Sequence, residues 1–236
     1  MTTVQKELNI YDILWFIVLS AVLLGALMGG LYLLPETAKI YLQEHREYLS
    51  LLIFAEQAIR ILPVIILVLR KKKDDFFQSL GFKKVSFEEL ILYPLAALVI
   101  SWGVLLLLQL LMYLYGLDAI PGLSGTQENI FEVFGKNSWS IYIVFISAAV
   151  IAPVLEEITY RGFLQQIIMK YSTPFASTLI TAGIFSLAHM QLQVALPLFI
   201  LGVILSTLYT KTRSIWPGIV FHVLNNTISL LALLLQ

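Results

Sequence analysis

Residues 140–169 read SIYIVFISAAVIAPVLEEITYRGFLQQIIM, an apolar run interrupted by two adjacent glutamates and an arginine. From residue 133 to the end of the chain, Glu156 and Glu157 are the only acidic residues. An ionisable side chain near the centre of a membrane helix costs about 2.5–3.5 kcal/mol or more, so such residues are functional candidates by default. The run therefore indicates a membrane helix that carries part of a site.

The composition of the whole chain is that of a membrane protein. Of its 236 residues, 59% are hydrophobic and 13% are charged, against about 45–50% and 25% in soluble domains. Several apolar runs exceed the ~18 residues that mark a membrane-spanning helix. This pattern predicts an all-α, polytopic integral membrane protein with about seven transmembrane helices, at residues 10–34, 49–69, 90–115, 139–160, 174–190, 195–210 and 215–235.

The charged residues predict the topology. The net charge is zero, which gives no indication of a nucleic-acid partner, and the chain has no cysteine to form a disulfide, a thiolate metal site or a Cys nucleophile. Lys and Arg are concentrated at 70–89 and 211–213, so the positive-inside rule predicts a cytoplasmic N-terminus and an external 116–138 loop. Segments 74–90 and 126–137 mix Phe with charges and are predicted to lie on the membrane surface.

Helical spacing sorts the polar residues of the C-terminal half. Glu157 and Arg161 are four residues apart with the Glu first, the favourable order for an ion pair on one face. Glu156 is turned about 100° away around the helix axis. One carboxylate is thus neutralised, while the other is left free to act as a general base.

A second polar group lies in the last predicted span. His222 and Asn226 are four residues apart in FHVLNN and can donate two hydrogen bonds to one developing oxyanion. Asn225 faces elsewhere and is the weaker candidate. His189, which ends FSLAH, can hold a water molecule together with Glu156.

The ordered motifs resemble those of a known family, the CAAX protease and bacteriocin-processing (CPBP, Abi) intramembrane endopeptidases, and of its bacterial branch in particular. The resemblance covers about residues 139–230 and rests on three motifs in order: Glu156-Glu157-x-x-x-Arg161, Phe185-x-x-x-His189 and His222-x-x-x-Asn226. The N-terminal half resembles the family only in being helical and membrane-embedded.

The resemblance implies a polar intramembrane cavity that opens toward the cytosol, in which an activated water hydrolyses a peptide bond. By family analogy, Glu156 is the general base and His189 helps to orient the water, while His222 and Asn226 form the oxyanion site. The implied substrate is a hydrophobic or lipid-anchored peptide or protein at the cytoplasmic membrane. No cofactor is implied.

The same resemblance gives Glu157 and Arg161 a structural or substrate-positioning role. It also implies one integrated membrane domain, with N-terminal helices and surface segments at 1–138 and the catalytic core helices at 139–236. Eukaryotic members remove the last three residues of prenylated CAAX proteins, whereas peptide maturation and bacteriocin self-immunity are suggested for the bacterial branch. The residues themselves select none of these substrates.

Three alternatives stay open at this point. Glu156, His189 and His222 match the His₂Glu ligand set of catalytic zinc sites, which would make the protein a zinc-dependent protease. A non-catalytic immunity or regulatory protein would keep its function without the Glu156 carboxylate. A transporter is disfavoured because internal repeats with matching broken helices, typical of transporters, are not evident.

Overall fold

The computed structural model describes residues 7–71, 75–116 and 138–235, which form helices and contain no strand. In chain order the helices are α1 (Ile10–Tyr32), α2 (Glu36–Glu44), α3 (Arg46–Lys71), α4 (Phe76–Ser79), α5 (Glu88–Tyr115), α6 (Trp139–Ile168), α7 (Pro174–Ala188), α8 (Ala195–Thr212) and α9 (Trp216–Leu234). The predicted all-α class is confirmed. The predicted surface segment at 126–137 lies outside the described residues.

The number of membrane-spanning helices differs from the predicted seven. Within the described part of the chain, five helices are long and apolar enough to cross a membrane: α1, α5, α6, the Leu192–Thr212 segment that contains α8, and α9. Predicted span 49–69 is present as α3, which is not among the five and carries Glu56 and Arg60 within its length. Predicted span 174–190 is present as α7, whose 15 residues extend only about 22 Å, less than the ~30 Å of a bilayer core.

Helix α7 is short because the chain reverses direction directly after it. His189 caps the helix, and Met190 takes a positive φ of 55°. Helix α8 then returns antiparallel to α7, so closely that a Cβ on Gly202 would lie 3.0 Å from the Cα of Ala182. The reversal leaves His189 at the C-terminal end of a short helix. Apolar composition alone does not reveal it.

The loops that carry most of the Lys and Arg residues meet at one end of the bundle. The N–H of Ile215, in the α8–α9 turn, donates to the carbonyl of Gly81 at 3.0 Å. At the same end, the Nζ of Lys170 donates to the carbonyl of Leu8 at 2.8 Å. The basic residues of these loops therefore share one end, as the positive-inside rule requires, with Lys39 and Arg46 after α1 as exceptions, while the orientation of that end toward the cytosol stays a prediction.

The segment predicted to lie on the membrane surface at 74–90 is partly buried in the fold. Phe77 and Phe87 are exposed, as expected for an interfacial segment, but Leu80 is only 1% exposed. A Cβ on Gly162 of α6 would overlap the carbonyl oxygen of Leu80. Glycine at 162 therefore allows this segment to pack directly against α6, where it supports the end of the helix that carries the two glutamates.

Candidate active site

The predicted ion pair between Glu157 and Arg161 is present and is completely buried. Nη1 of Arg161 donates to Oε1 of Glu157 at 2.8 Å, and both side chains are 0% exposed. Nη2 of Arg161 donates to the carbonyl of Gly202 at 3.2 Å, and the guanidinium carbon lies 4.8 Å from the ring centre of Phe185. The pair thus ties α6 to the α7–α8 hairpin.

Helix α6 is irregular where it carries these residues. It has π-helical turns at Ser147–Ile151 and Glu157–Gln165, and such turns inside α-helices frequently mark functional sites. Gly218 of α9 gives Glu157 its space, because a Cβ at this position would lie 2.7 Å from Oε2 of Glu157. The small residue on α9 and the widened turn of α6 together let a carboxylate fit between two packed helices.

Glu156 lies on a different face of α6, between the two histidines. Its Oε1 is 4.0 Å from Nε2 of His189, and its Oε2 is 3.7 Å from Nε2 of His222. The Glu156 side chain is 26% exposed and that of His189 24%, whereas that of His222 is 2% exposed. The structure therefore brings Glu156 and His189, which are predicted to activate water, together with His222, which is predicted for the oxyanion site, although they come from three different helical segments.

Hydrogen bonds at the far nitrogen orient both imidazole rings. Nδ1 of His189 lies 2.7 Å from the carbonyl oxygen of Phe185, and Nδ1 of His222 lies 3.2 Å from Oε1 of Glu157. A carbonyl and a carboxylate accept hydrogen bonds, so each Nδ1 carries a hydrogen and donates. Each Nε2 is thereby directed toward Glu156. Glu157 contributes to the site by orienting the ring of His222.

Asn226 has a structural contact in addition to its proposed catalytic one. Its Nδ2 donates to the carbonyl of Ala148 at 3.0 Å. In a π-helical turn this carbonyl would accept from the residue five positions later, which is Pro153, and proline has no N–H. Asn226 supplies the missing donor and keeps one further Nδ2 hydrogen for the cavity, since an amide has two.

These residues lie at one end of a cavity of about 760 Å³ between α5, α6, α8 and α9. Glu156, His189, His222 and Asn226 line that end, and Leu105, Leu106, Leu230 and Leu233 line the other. His222 and Leu233 are eleven residues apart on α9, or about 16 Å along the helix. The cavity therefore joins a polar cluster to a mainly apolar part, in which Gln109 and Ser229 are the polar lining residues.

Sequence reasoning missed several polar residues of this cavity. Asn225, which helical spacing directs away from the site, lines the cavity and accepts a hydrogen bond from Nε1 of Trp102 at 3.2 Å. Gln191 also lines it, and its Oε1 is buried without a hydrogen bond. Trp102 lies on α5, far from the motifs in sequence, so only the packing of α5 against α9 reveals its place.

The zinc alternative depends on whether the candidate ligands have the geometry of a metal centre. Among the described residues, no group of three or more His, Asp or Glu side chains has an arrangement that could hold a metal ion. The three side chains of the predicted zinc alternative do converge, with Nε2 to carboxylate distances of 3.7 and 4.0 Å. The alternative therefore needs a direct chemical test.

The region that carries the three motifs is similar to known proteins. Residues 138–228 match the family model described as type II CAAX prenyl endopeptidase, Rce1-like. A protein of Bacillus subtilis (strain 168) with the name "Putative membrane peptidase YdiL" is 28% identical over 88 residues, which cover 37% of this chain and 36% of the relative. No solved structure matches the chain.

The family match confirms the resemblance that the motifs of this region indicate, and together with the apolar helices it supports a multi-pass membrane protein. The matched region contains every residue predicted for the site, from Glu156 to Asn226. The alignment with the relative spans only about a third of that protein's length. The activity of the whole chain and the roles of the individual residues are therefore matters of proposal.

Proposed function

We propose that this protein is an intramembrane endopeptidase, in which Glu156 activates a water molecule to hydrolyse a peptide bond. The observation that carries the proposal is the convergence of two oriented imidazoles on the Glu156 carboxylate at the polar end of a membrane cavity. The family of residues 138–228 and the name of the bacterial relative both concern peptidases. Both agree with hydrolysis as the reaction.

In the proposed first step, Glu156 acts as general base. It takes a proton from water while the water oxygen attacks the carbonyl carbon of the peptide bond, and the carbonyl electron pair moves to its oxygen. His189 orients the water, because its Nε2 lacks a hydrogen when Nδ1 donates to Phe185 and can accept the second water hydrogen. A base held within reach of the proton it removes contributes about 10²–10⁴-fold to the rate.

The developing oxyanion is stabilised from α9. Asn226 donates through its remaining Nδ2 hydrogen. His222 donates through Nε2 when both of its ring nitrogens are protonated. In that state Glu156, Glu157, Arg161 and His222 sum to zero charge, which suits a poorly hydrated site. Collapse of the intermediate breaks the C–N bond, and Glu156 returns its proton to the leaving amine.

The form of the cavity favours a hydrophobic or lipid-anchored peptide or protein as substrate. Beyond Asn226 the cavity extends about 10 Å along α9 to Leu233, and the lining there is mainly leucine, with Ser229 and Gln109 as polar members. A charged, fully hydrated chain would lose its hydration in this part of the cavity without compensation. The proposed location is the cytoplasmic membrane, with the N-terminus inside and the polar cluster toward the cytosol.

The deciding experiment uses the purified full chain in lipid vesicles. A library of short membrane-tethered peptides is added, and cleavage products are identified by mass spectrometry. Wild type and Glu36→Gln, which changes an exposed surface carboxylate, are expected to cleave the same peptides, whereas Glu156→Gln is not. A Glu156→Gln variant that keeps the cellular function would favour the non-catalytic immunity or regulatory alternative.

A zinc-dependent protease is the second candidate, and one observation favours it. Histidines that bind zinc donate their other ring N–H to a carboxylate or a backbone carbonyl, and both histidines here do so. In that case Glu156, His189 and His222 would hold the ion and Glu156 would no longer be the base. Elemental analysis of active protein separates the two candidates, because near-stoichiometric zinc is expected only for the second.

A further inference from the structure

A second cavity, of about 530 Å³, lies between the start of α1 and the end of α3, on the outer side of the bundle. It is lined by Asn9, Tyr11, Asp12, Trp15, Leu19, Ile66, Leu67, Arg70 and Lys71. None of these residues belongs to the matched region at 138–228, and the proposed peptidase mechanism uses none of them. The cavity is therefore separate from the proposed active site.

We propose that this cavity binds an anionic phospholipid of the surrounding bilayer, with the phosphate at Arg70 and an acyl chain along Trp15 and Leu19. The cavity lies beside the start of α1, which is long and apolar enough to cross a membrane, and the basic last turn of α3; this position corresponds to the level where hydrocarbon meets headgroups. Basic pockets between membrane helices are known to bind anionic headgroups. The proposal is independent of the peptidase function.

The polar end of the cavity has a net positive charge. Nζ of Lys71 pairs with Oδ2 of Asp12 at 2.7 Å, and Asp12 is only 3% exposed. That pair is neutral and holds α1 against α3. Arg70 remains: the residue is exposed, and it forms no ion pair with any residue that the structure describes. A single anionic headgroup matches this remaining charge.

The remaining lining identifies a lipid rather than a free anion as the occupant. Leu19 lies nine residues beyond Ile10, so the apolar part of the cavity runs about 14 Å along α1 into the hydrocarbon region. Tyr11 and Trp15 are 69% and 58% exposed, and aromatic residues of this kind favour the membrane–water interface. A free phosphate would fill only the basic end, whereas a phospholipid covers both parts.

The test follows quenching of Trp15 by brominated lipids. The chain has four tryptophans, so the triple variant Trp102→Phe, Trp139→Phe, Trp216→Phe leaves Trp15 as the single reporter. It is purified in neutral detergent and titrated with brominated phosphatidylglycerol or brominated phosphatidylcholine. Phosphatidylglycerol is expected to quench at a concentration about fivefold lower, because one basic residue near an anionic headgroup contributes roughly that factor.

Arg70→Gln and Arg213→Gln, added to the reporter, form a matched pair. Arg213 lies in the α8–α9 turn, where its side chain contacts Met169, so both variants remove one exposed charge. Arg70→Gln is expected to abolish the preference for phosphatidylglycerol, and Arg213→Gln to preserve it. Equal quenching by both lipids in the unsubstituted reporter, or equal losses in the two variants, would overturn the proposal.

Soluble glycerol phosphate is the control that distinguishes a lipid site from a site for free phosphate. It carries the same phosphate chemistry without acyl chains, so it is expected to leave the quenching unchanged at concentrations that match the lipid. Displacement of the lipid at such concentrations would show that the cavity recognises a free phosphate, and would refute a lipid site. Comparing both lipids in the unsubstituted reporter keeps the proposal testable even where an Arg70 variant does not fold.

Discussion

The buried ion pair of Glu157 and Arg161 makes a quantitative prediction about stability. Both side chains are 0% exposed, and among the described residues the guanidinium donates one further hydrogen bond, to the carbonyl of Gly202. Removing one partner of a buried pair leaves an uncompensated charge and typically costs about 3–5 kcal/mol. Glu157→Leu and Arg161→Met are therefore each expected to lower the free energy of unfolding by about that amount.

The double variant should lose less stability than the sum of the losses in the two single variants. Replacing both members of a buried pair by apolar residues of similar volume is often neutral or even stabilising. Glu157→Leu/Arg161→Met is therefore expected to regain most of the stability that either single variant loses. It should still lack peptidase activity, because His222 loses the carboxylate that orients its ring.

Denaturant titrations in detergent micelles, followed by helical circular dichroism, measure these free energies. Glu36→Leu serves as the control, since Glu36 forms an exposed pair with Lys39 and exposed pairs contribute about 0–1 kcal/mol. The reasoning is refuted if a single variant loses less than about 1 kcal/mol, or if the losses of the two simply add in the double variant. Activity in the double variant would refute the positioning role of Glu157.

Four further predictions address the site and the topology. Asn226→Ala should lower kcat by about 10²–10³-fold and also reduce thermal stability, whereas Asn225→Ala should do much less in both assays; equal losses would contradict the separate roles. Gly218→Ala should cost about 1–3 kcal/mol of stability by overpacking the buried carboxylate of α6, and unchanged thermal unfolding and activity would count against that tight fit. Purified active protein should contain far less than one zinc per chain, and its rate should survive prolonged chelation; loss restored only by metal would favour the zinc candidate. An impermeant thiol reagent on intact cells should label Tyr115→Cys but not Lys84→Cys, and the reverse pattern would invert the topology.

The spacing of residues along one helix predicts several contacts of the site. The i,i+4 separation of Glu157 and Arg161 predicts their ion pair, and the pair is present. The same rule places Glu156 on another face, where it lines the cavity. These predictions succeeded because neighbours on one helix keep their relation wherever the helix is packed.

Spacing failed where a second helix decides the environment. Asn225 was assigned away from the site, yet Trp102 of α5 packs beside it and both line the cavity. Helical spacing relates Asn226 to the oxyanion site, yet Pro153 of α6 also leaves the carbonyl of Ala148 without its helical donor, and Asn226 donates to it. Neither contact follows from the sequence of one helix, because each depends on which face another helix presents.

Composition and local spacing by themselves determined the class of this protein. Long apolar runs must form helices in a bilayer, since backbone groups there have no water to bond, and the ordered acidic, histidine and asparagine motifs indicate the family. Tertiary structure alone decided which side chains meet at the site and which hydrogen bonds they form. The reversal of the chain after α7 places His189 opposite Glu156, and Gly202 and Gly218 allow helices to approach closely enough to bury an ion pair. Such contacts between distant segments depend on atomic packing, which residue type and periodicity do not specify.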